Sequence, residues 1–513
     1  MSSLPPVLGF AVTIGDRPLP LHAPRLAMLG QRTPVPADGA GPAWSGVVLS
    51  PISSGNPNPG GTPASGTAVA GDVRVLLAGE FYNRGELIRA LGAAAPAPGD
   101  DAALVLACWL RYGTSALRLF NGRYALLLQD GQRFVAATDH AASVPLHLAV
   151  ARDDAADRAG TAAALTLAAA TEAKALSGVG VPVRRVPAGT ALLLDLSGSD
   201  PSGQSLRTWA PPLHRDLTEG PQAVAAVRAE LRRAVTARTA GDPAPTVVLS
   251  GGIDSSAVAA LAAASCAGVH SVTLGTDAGD EFDAARLVAQ HLGTVHRELT
   301  VDSRELVREL AWTVWAAEVA DPDILEYLMP LVALYRRLPG PPRRILTGYG
   351  ADIPLGGMHR DTVALGTLDE VLARDMETFD GLNELAPALS GIAGHWSTHP
   401  YWDRDVLGLM VSLEPGLKRR EDTDKWVLRR AFAGVLPAET VNRRKLGIHE
   451  GSGTTSTWSR LLRESGVPEA DVHRAKAAAA QQLYERLIVG GGHPDDDAGA
   501  DRVDNRAEMT GQR

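Results

Sequence analysis

Apolar positions in the first 205 residues come in short runs of β-branched and aliphatic side chains: Val7 to Thr13, Val73 to Ala78, Tyr124 to Gln129, Phe134 to Ala137 and Thr190 to Leu196. Each run has the length of a strand and is bounded by turn-forming residues. Two stretches, Arg84 to Leu91 and Asp101 to Tyr112, break the series with helical spacing. Pro- and Gly-rich passages, above all Ile52 to Gly66, read as loops. This part of the chain is expected to be α+β.

Beyond Trp209-Ala210-Pro211-Pro212 the pattern changes. Val224, Val227, Leu231 and Val235 repeat at helical spacing. Strand and helix then alternate: Thr246 to Leu249, Ile253 to Ala267, His270 to Leu274, Asp280 to Leu292, Val295 to Leu299. That alternation predicts a parallel, doubly wound α/β sheet. From about 303 to 440 the chain reads as mostly helical, with one apolar strand, Arg344 to Thr347. After Val489 no apolar period remains, and the tail from about 490 is expected to be loose. The change of pattern predicts two domains, 1–208 and 209–513.

Composition narrows the function. The 513 residues are 45% hydrophobic and 21% charged, enough apolar material for two cores. Lys and Arg total 49 against 58 Asp and Glu, so the net charge of −9 gives no general attraction to nucleic acid or an anionic membrane. A small-molecule partner is the expectation. The cysteines, Cys108 and Cys266, argue against a disulfide scaffold or a Cys-based zinc site and fit a reducing cytoplasm. Met1 to Pro6 shows no secretory pattern, and apolar tracts such as Ala257 to Val269 fall short of the roughly 20 residues a membrane span needs.

The strongest chemical signal is Ser250-Gly251-Gly252-Ile253-Asp254-Ser255-Ser256, set between a strand and a helix. Glycines admit backbone N–H groups to phosphate oxygens, serines add hydroxyl donors, and the helix start contributes a favourable dipole. No Gly-Lys-Ser/Thr follows, so this is not the kinase or GTPase phosphate loop. With Val248, Leu274 and Gly348 the loop forms the expected ATP-binding set. A second loop, Gly348-Tyr349-Gly350-Ala351-Asp352, follows the strand Arg344 to Thr347, at the edge where open parallel sheets bind ligands. Asp254 and Asp352 are the candidate Mg²⁺ ligands. Taken singly, each feature also fits an ordinary turn.

Together these loops resemble those of the asparagine-synthetase-type amidotransferase family. The first half carries the likeness in Ala78-Gly79-Glu80-Phe81-Tyr82-Asn83, Asn121-Gly122-Arg123-Tyr124, Ala137-Thr138-Asp139, Thr171-Glu172-Ala173-Lys174-Ala175-Leu176 and Val186-Pro187-Ala188-Gly189. The resemblance implies a glutaminase-like αββα sandwich of N-terminal-nucleophile type, followed by an ATP-pyrophosphatase-type synthetase domain with a helical C-terminal part. A working glutaminase of this family begins its first strand with a Cys; here Val7 and Leu8 stand there, and Ser2 lies several residues ahead. Glutamine hydrolysis is expected to be lost.

Asparagine synthetases carry an acid at the second loop where this chain has Tyr349, a change that resembles the β-lactam synthetase branch of the family. The stretches Asp321-Pro322-Asp323-Ile324, Phe379-Asp380-Gly381-Leu382-Asn383-Glu384 and Lys445-Leu446-Gly447-Ile448-His449-Glu450-Gly451 extend that likeness. It implies ATP- and Mg²⁺-dependent closure of N2-(2-carboxyethyl)-L-arginine to deoxyguanidinoproclavaminate in the clavam pathway. Tyr349 would be the base, Glu384 its partner, and Lys445 the cation on the tetrahedral oxyanion. The substrate would be held by Tyr327, Tyr349, Gly350, Ile353, Asp375 and Glu384. Carbapenam synthesis, ammonia-dependent asparagine synthesis and a non-catalytic nucleotide-binding role are the competing readings.

Two of these residues also stand out by pattern. Leu368, Val371, Leu372, Asp375 and Phe379 share a helical face, so Asp375 is a carboxylate on an apolar stripe that calls for a cation, either a substrate guanidinium or an internal partner such as Arg360. Lys445 is followed by a Gly-rich stretch through Thr455, too polar to be core, which reads as a lid excluding water from the adenylate.

Overall fold

The structure is a computed structural model describing residues 6–15, 19–29, 31–35, 43–50, 66–97, 99–152, 165–197, 203–212, 219–242, 244–359, 362–377, 383–420, 423–444 and 446–497. Two compact units form: Met1–Pro211 with Thr378–Pro387, and Pro212–Glu377 with Ala388–Arg513.

The first unit contains two antiparallel sheets. One runs Val183–Arg185, His147–Arg152, Leu165–Ala170, Gly9–Ile14, Trp44–Ser50, Gln31–Pro34, and the other Gln204–Arg207, Thr190–Asp195, Arg133–Thr138, Gly122–Asp130, Val73–Phe81, Thr67–Ala70. Alternation along the strands builds two cores. Leu76, Ala78, Leu127 and Ala136 meet Phe10, Val12, Val48 and Leu167 between the sheets. Val75, Leu77, Leu126 and Leu128 face outward, against Leu104, Val105, Cys108 and Trp109 of the helix Asp101–Tyr112. That helix starts where the Asp100 carboxylate accepts the Ala103 N–H at 2.9 Å.

The expected sandwich is therefore present as helix, sheet, sheet. Its fourth layer is not: among the described residues, the other sheet is flanked by single-turn 3-10 helices, Ala23–Arg25 and Ala173–Leu176, instead of α-helices. The loop read over Ile52 to Gly66 lies outside the described residues except at its last position.

The second unit is built on a five-stranded parallel sheet ordered Val295–Val301, His270–Thr276, Thr246–Val248, Arg344–Leu346, Trp396–Thr398. The parallel sheet is as expected, with Trp396–Thr398 added at its edge. From Thr246–Val248 the chain winds outward through His270–Thr276 and Val295–Val301, then returns to add Arg344–Leu346 on the opposite side. This switch of winding direction places the loops after Thr246–Val248 and Arg344–Leu346 side by side at the carboxyl edge. Val247, Leu249, Val258, Leu261 and Leu346 share one core with Val227 and Leu231 of the helix Gly220–Thr239. Arg238 on that helix is buried, donating to Thr398 Oγ1 at 3.1 Å and to Asp403 Oδ2 at 3.0 Å.

The tail departs from expectation as far as it is described. His493 lies edge-on to Trp312 and Trp315, with ring centroids 5.4 Å away in each case, and Pro494 after it is buried, so the chain packs as far as Pro494. Residues 498–513 lie outside the described set. Among the described residues no helix is long and apolar enough to cross a membrane.

Candidate active site

The loop Ser250 to Ser256 is held by its own serines. Ser255 Oγ accepts the Ser250 N–H at 3.1 Å, and Ser250 Oγ accepts the Gly252 N–H at 3.3 Å. Gly251 has φ +73°, and a Cβ there would come within 2.4 Å of the Ala284 carbonyl carbon, so glycine is required twice over. The helix Ile253–Ser265 begins inside the loop. Two buried polar atoms at its start have no hydrogen-bond partner, Asp254 Oδ1 and Ser256 Oγ. Buried oxygens without partners are costly unless something else satisfies them. Val248 is half-buried and Leu274 buried, on neighbouring parallel strands.

The second loop touches the first. A Cβ on Gly348 would lie 2.4 Å from the Ser255 backbone nitrogen, so only glycine permits the approach. Gly350, at φ +97°, packs against Trp402, whose indole a Cβ would overlap. Between these glycines stands Tyr349, half-buried, its ring centroid 6.0 Å from Tyr327 and 5.9 Å from His399. His399 Nδ1 lies 2.7 Å from Thr347 Oγ1, which accepts the Tyr349 N–H at 3.3 Å. Tyr327 projects from the helix Pro322–Arg337, whose start is capped by Asp321, and the adjoining Glu326 is paired with buried Lys476.

Asp254 and Asp352 come together, but through a residue the sequence reading missed. The fully buried Lys425 ammonium lies 2.5 Å from Asp254 Oδ2 and 2.7 Å from Asp352 Oδ1. Beneath them, the Tyr401 hydroxyl donates to the Asp254 carbonyl at 3.1 Å; complete burial, with Asp254 adding to it, raises that phenol's pKa well above its usual value. Arg443 is a second omission. Its Nη1 donates to the Ser250 carbonyl at 2.9 Å and its Nη2 pairs with Glu281 at 3.0 Å. Burial pushes the Glu281 carboxyl up to about 7 although Arg443 pulls it down. The basic run around Arg443 was visible in the sequence; nothing in Thr423-Asp424-Lys425-Trp426 marked Lys425.

The remaining candidates are placed as follows. Ile353 is half-buried beside Asp352. Asp375 is not sealed in an apolar stripe: its side chain is 37% exposed and Oδ2 lies 2.6 Å from His359 Nε2, a partner the sequence reading did not name. Arg360, Phe379 and Lys445 lie outside the described residues. Glu384 is half-buried on the segment Thr378–Pro387, which is grouped with the first unit. The stretch read as a lid too polar for core is in part core: Gly451, Ser452, Gly453 and Thr454 are buried, and the Ser452 carbonyl accepts from Thr276 Oγ1 at 2.5 Å.

In the first unit, the start of the first strand is closed by apolar packing. Val7 and Leu8 are buried, the Val7 carbonyl accepts the Gly79 N–H at 2.8 Å, and Leu8 N–H reaches the Leu49 carbonyl at 2.8 Å. Among the described residues, no nucleophile stands there.

The asparagine synthase family matches this chain over residues 226–390 and 368–488, and a glutamine amidotransferase domain over 57–166. A carboxyethyl-arginine beta-lactam-synthase from Streptomyces clavuligerus is 53% identical over 451 residues, 85% of each chain. The chain belongs to the asparagine synthase family. Other relatives in that family are more distant: glutamine-hydrolyzing asparagine synthetases of Sandersonia aurantiaca, 24% identical over 74% of each chain, and of Arabidopsis thaliana, 24% identical over 82% of this chain and 70% of the relative.

Membership in this family raises the question of a nucleotide and its metal. The donors fit. Asp254 and Asp352 supply the hard oxygens that Mg²⁺ takes, and the partnerless Asp254 Oδ1 is an acceptor in need of a cation. Among the described residues no group of three or more His, Cys, Asp or Glu forms a complete cage. A two-carboxylate site completed by phosphates is the arrangement Mg²⁺ usually adopts.

Proposed function

We propose that the protein is an ATP-dependent cyclo-ligase that closes N2-(2-carboxyethyl)-L-arginine to the β-lactam deoxyguanidinoproclavaminate, releasing AMP and pyrophosphate. The observation that carries this reading is the 53% identity, over 85% of each chain, to the S. clavuligerus carboxyethyl-arginine beta-lactam-synthase. The placement of Tyr349 between Tyr327 and His399, on the loop that touches Ser255, supports it.

The substrate carboxylate attacks the α-phosphorus of ATP, the bond to the β-phosphate breaks, and an acyl-adenylate and pyrophosphate result. Ser250, Gly251, Gly252, Ser255 and Ser256 cradle the phosphates through N–H and hydroxyl donors. When bound, Mg²⁺ held by Asp254 and Asp352 supplies neutralisation of phosphate charge. Val248 and Leu274 offer apolar surface to the nucleoside, with Gly348 beside it.

Ring closure is intramolecular, so no delivered ammonia is needed. The secondary amine attacks the adenylate carbonyl, the C–N bond forms, and AMP leaves with the C–O bond electrons. The amine proton must go to a base in the same step. Tyr349 is assigned to take it and Glu384 to share it, because an ordinary phenol, with a pKa of about 10, carries too little charge unaided. Lys445 is assigned to the developing oxyanion. Tyr327, Gly350 and Ile353 line the acyl chain, and Asp375 is assigned the guanidinium, exchanging its His359 contact for a bidentate one.

The test is incubation with Mg-ATP and carboxyethyl-arginine, without glutamine, following pyrophosphate and product mass together. Pyrophosphate with a product lighter by one water is the expected result. Pyrophosphate release with aspartate and ammonia instead would replace this reading with asparagine synthesis.

A further inference from the structure

Lys425 is held more firmly than a mobile surface lysine needs to be. It takes the left-handed conformation, φ 53° and ψ 37°, at the start of the helix Trp426–Phe432, a region that residues with a Cβ rarely visit. The turn is pinned by Arg429, which donates to the Asp424 carbonyl at 2.8 Å and pairs with the Asp424 carboxylate at 2.9 Å. The Lys425 side chain is 0% exposed, and its ammonium meets only Asp254 and Asp352 among the described residues. Gly357 closes the space from one side: a Cβ there would lie 2.5 Å from Asp352 Oδ1 and 3.3 Å from Lys425 Cε.

We propose that Lys425 is a built-in counter-cation that fills the gap between the two carboxylates in the nucleotide-free protein and makes metal binding conditional on nucleotide. The inference rests on the adenylating reading above, which assigns Asp254 and Asp352 to the metal. In the free protein two part-buried carboxylates, each 14% exposed, share the Lys425 ammonium. A divalent cation arriving alone would put three positive charges against two negative ones in a space that Lys425 already fills, and would take from the ammonium both of its carboxylate partners. A metal arriving on a triphosphate brings its own negative charge, which accepts the ammonium. Asp254 Oδ1, buried and without a hydrogen-bond partner, remains for the incoming cation. Metal and nucleotide therefore enter together, and the resting protein keeps its carboxylates paired without metal.

The test is equilibrium dialysis of Mn²⁺ against the full-length protein, read as the excess Mn²⁺ held on the protein side with and without a freely diffusing nucleotide analogue, so that no turnover is involved. Wild type is expected to take up Mn²⁺ only when α,β-methylene-ATP is added. Lys425→Met, which removes the charge and keeps the length, is expected to bind Mn²⁺ without nucleotide at least about tenfold more tightly than wild type. Lys425→Arg, which keeps the charge, should behave as wild type. Equal Mn²⁺ affinity of the wild-type protein with and without the analogue would overturn the proposal, whether or not any variant folds. Failure of the ring-closure assay with nucleotide-dependent Mn²⁺ uptake intact would overturn the substrate reading alone.

Discussion

Tyr349 follows Gly348, where the loop after Arg344–Leu346 meets the loop Ser250 to Ser256, and that position fixes what its replacement should do. Gly348 packs on the Ser255 backbone, so the loop Ser250 to Ser256 does not depend on the phenol. Tyr349→Phe is expected to keep substrate-dependent ATP–pyrophosphate exchange while slowing ring closure by about 10²–10⁴-fold, the range for losing a general base. Equal loss of exchange and closure would count against the base assignment. Asp254, Gly348 and Tyr349 were legible because each belongs to an unbroken string after an apolar strand. Lys425 was not, since it pairs with Asp254 across 171 positions and depends on a left-handed turn that no residue type announces. His359 beside Asp375 was hidden for a related reason: the stripe on the helix Leu368–Glu377 was visible, its partner on another segment was not.

At the level of elements, legibility followed composition. The strand Leu165–Ala170 is fully buried and reads Leu-Thr-Leu-Ala-Ala-Ala, with Thr166 its single β-branched residue; its place between His147–Arg152 and Gly9–Ile14 comes from pairing. Trp396–Thr398 is too short to show a period, and it is fixed instead by His395 before it. Buried His395 accepts the Arg343 N–H on Nδ1 at 3.2 Å, tying this strand to the segment leading into Arg344–Leu346. Burial, with Arg343 adding to it, lowers the His395 pKa from 6.5 to about 4. The unfolded chain therefore takes up the proton first. The stabilising contribution is fully present above pH 6.5 and is lost as pH falls toward about 4. His395→Gln should flatten the dependence of Tm on pH across that window, as measured by calorimetry in matched buffers. An unchanged slope would place the acid sensitivity elsewhere.

For the molecule as a whole, the first unit keeps the two sheets and one helical layer, with Val7 and Leu8 buried at the start of the first strand, so glutamine is expected to release no ammonia above background with or without ATP. In the second unit, Arg443 ties a later part of the chain to the loop Ser250 to Ser256 by holding both the Ser250 carbonyl and Glu281. Gly451 sits against the same carboxylate, where a Cβ would come 2.4 Å from Oε2. A glutamate so enclosed resists ionisation, and its carboxyl lies near 7 against an ordinary 4.5. The folded protein thus holds this proton more tightly than the unfolded chain. The contribution to stability is fully present below pH 4.5 and is lost as pH rises through about 7. Above that point the Glu281 charge strengthens the pull on Arg443, and with it the grip on Ser250. Glu281→Gln should remove the fall in Tm between pH 4.5 and about 7, opposite in sign to the His395 effect, and should weaken nucleotide binding mainly above pH 7. Fluorescence titration with an ATP analogue at pH 6 and 8 separates the two consequences; a variant that loses the same affinity at both would leave Arg443 gripping the loop without help from the Glu281 charge.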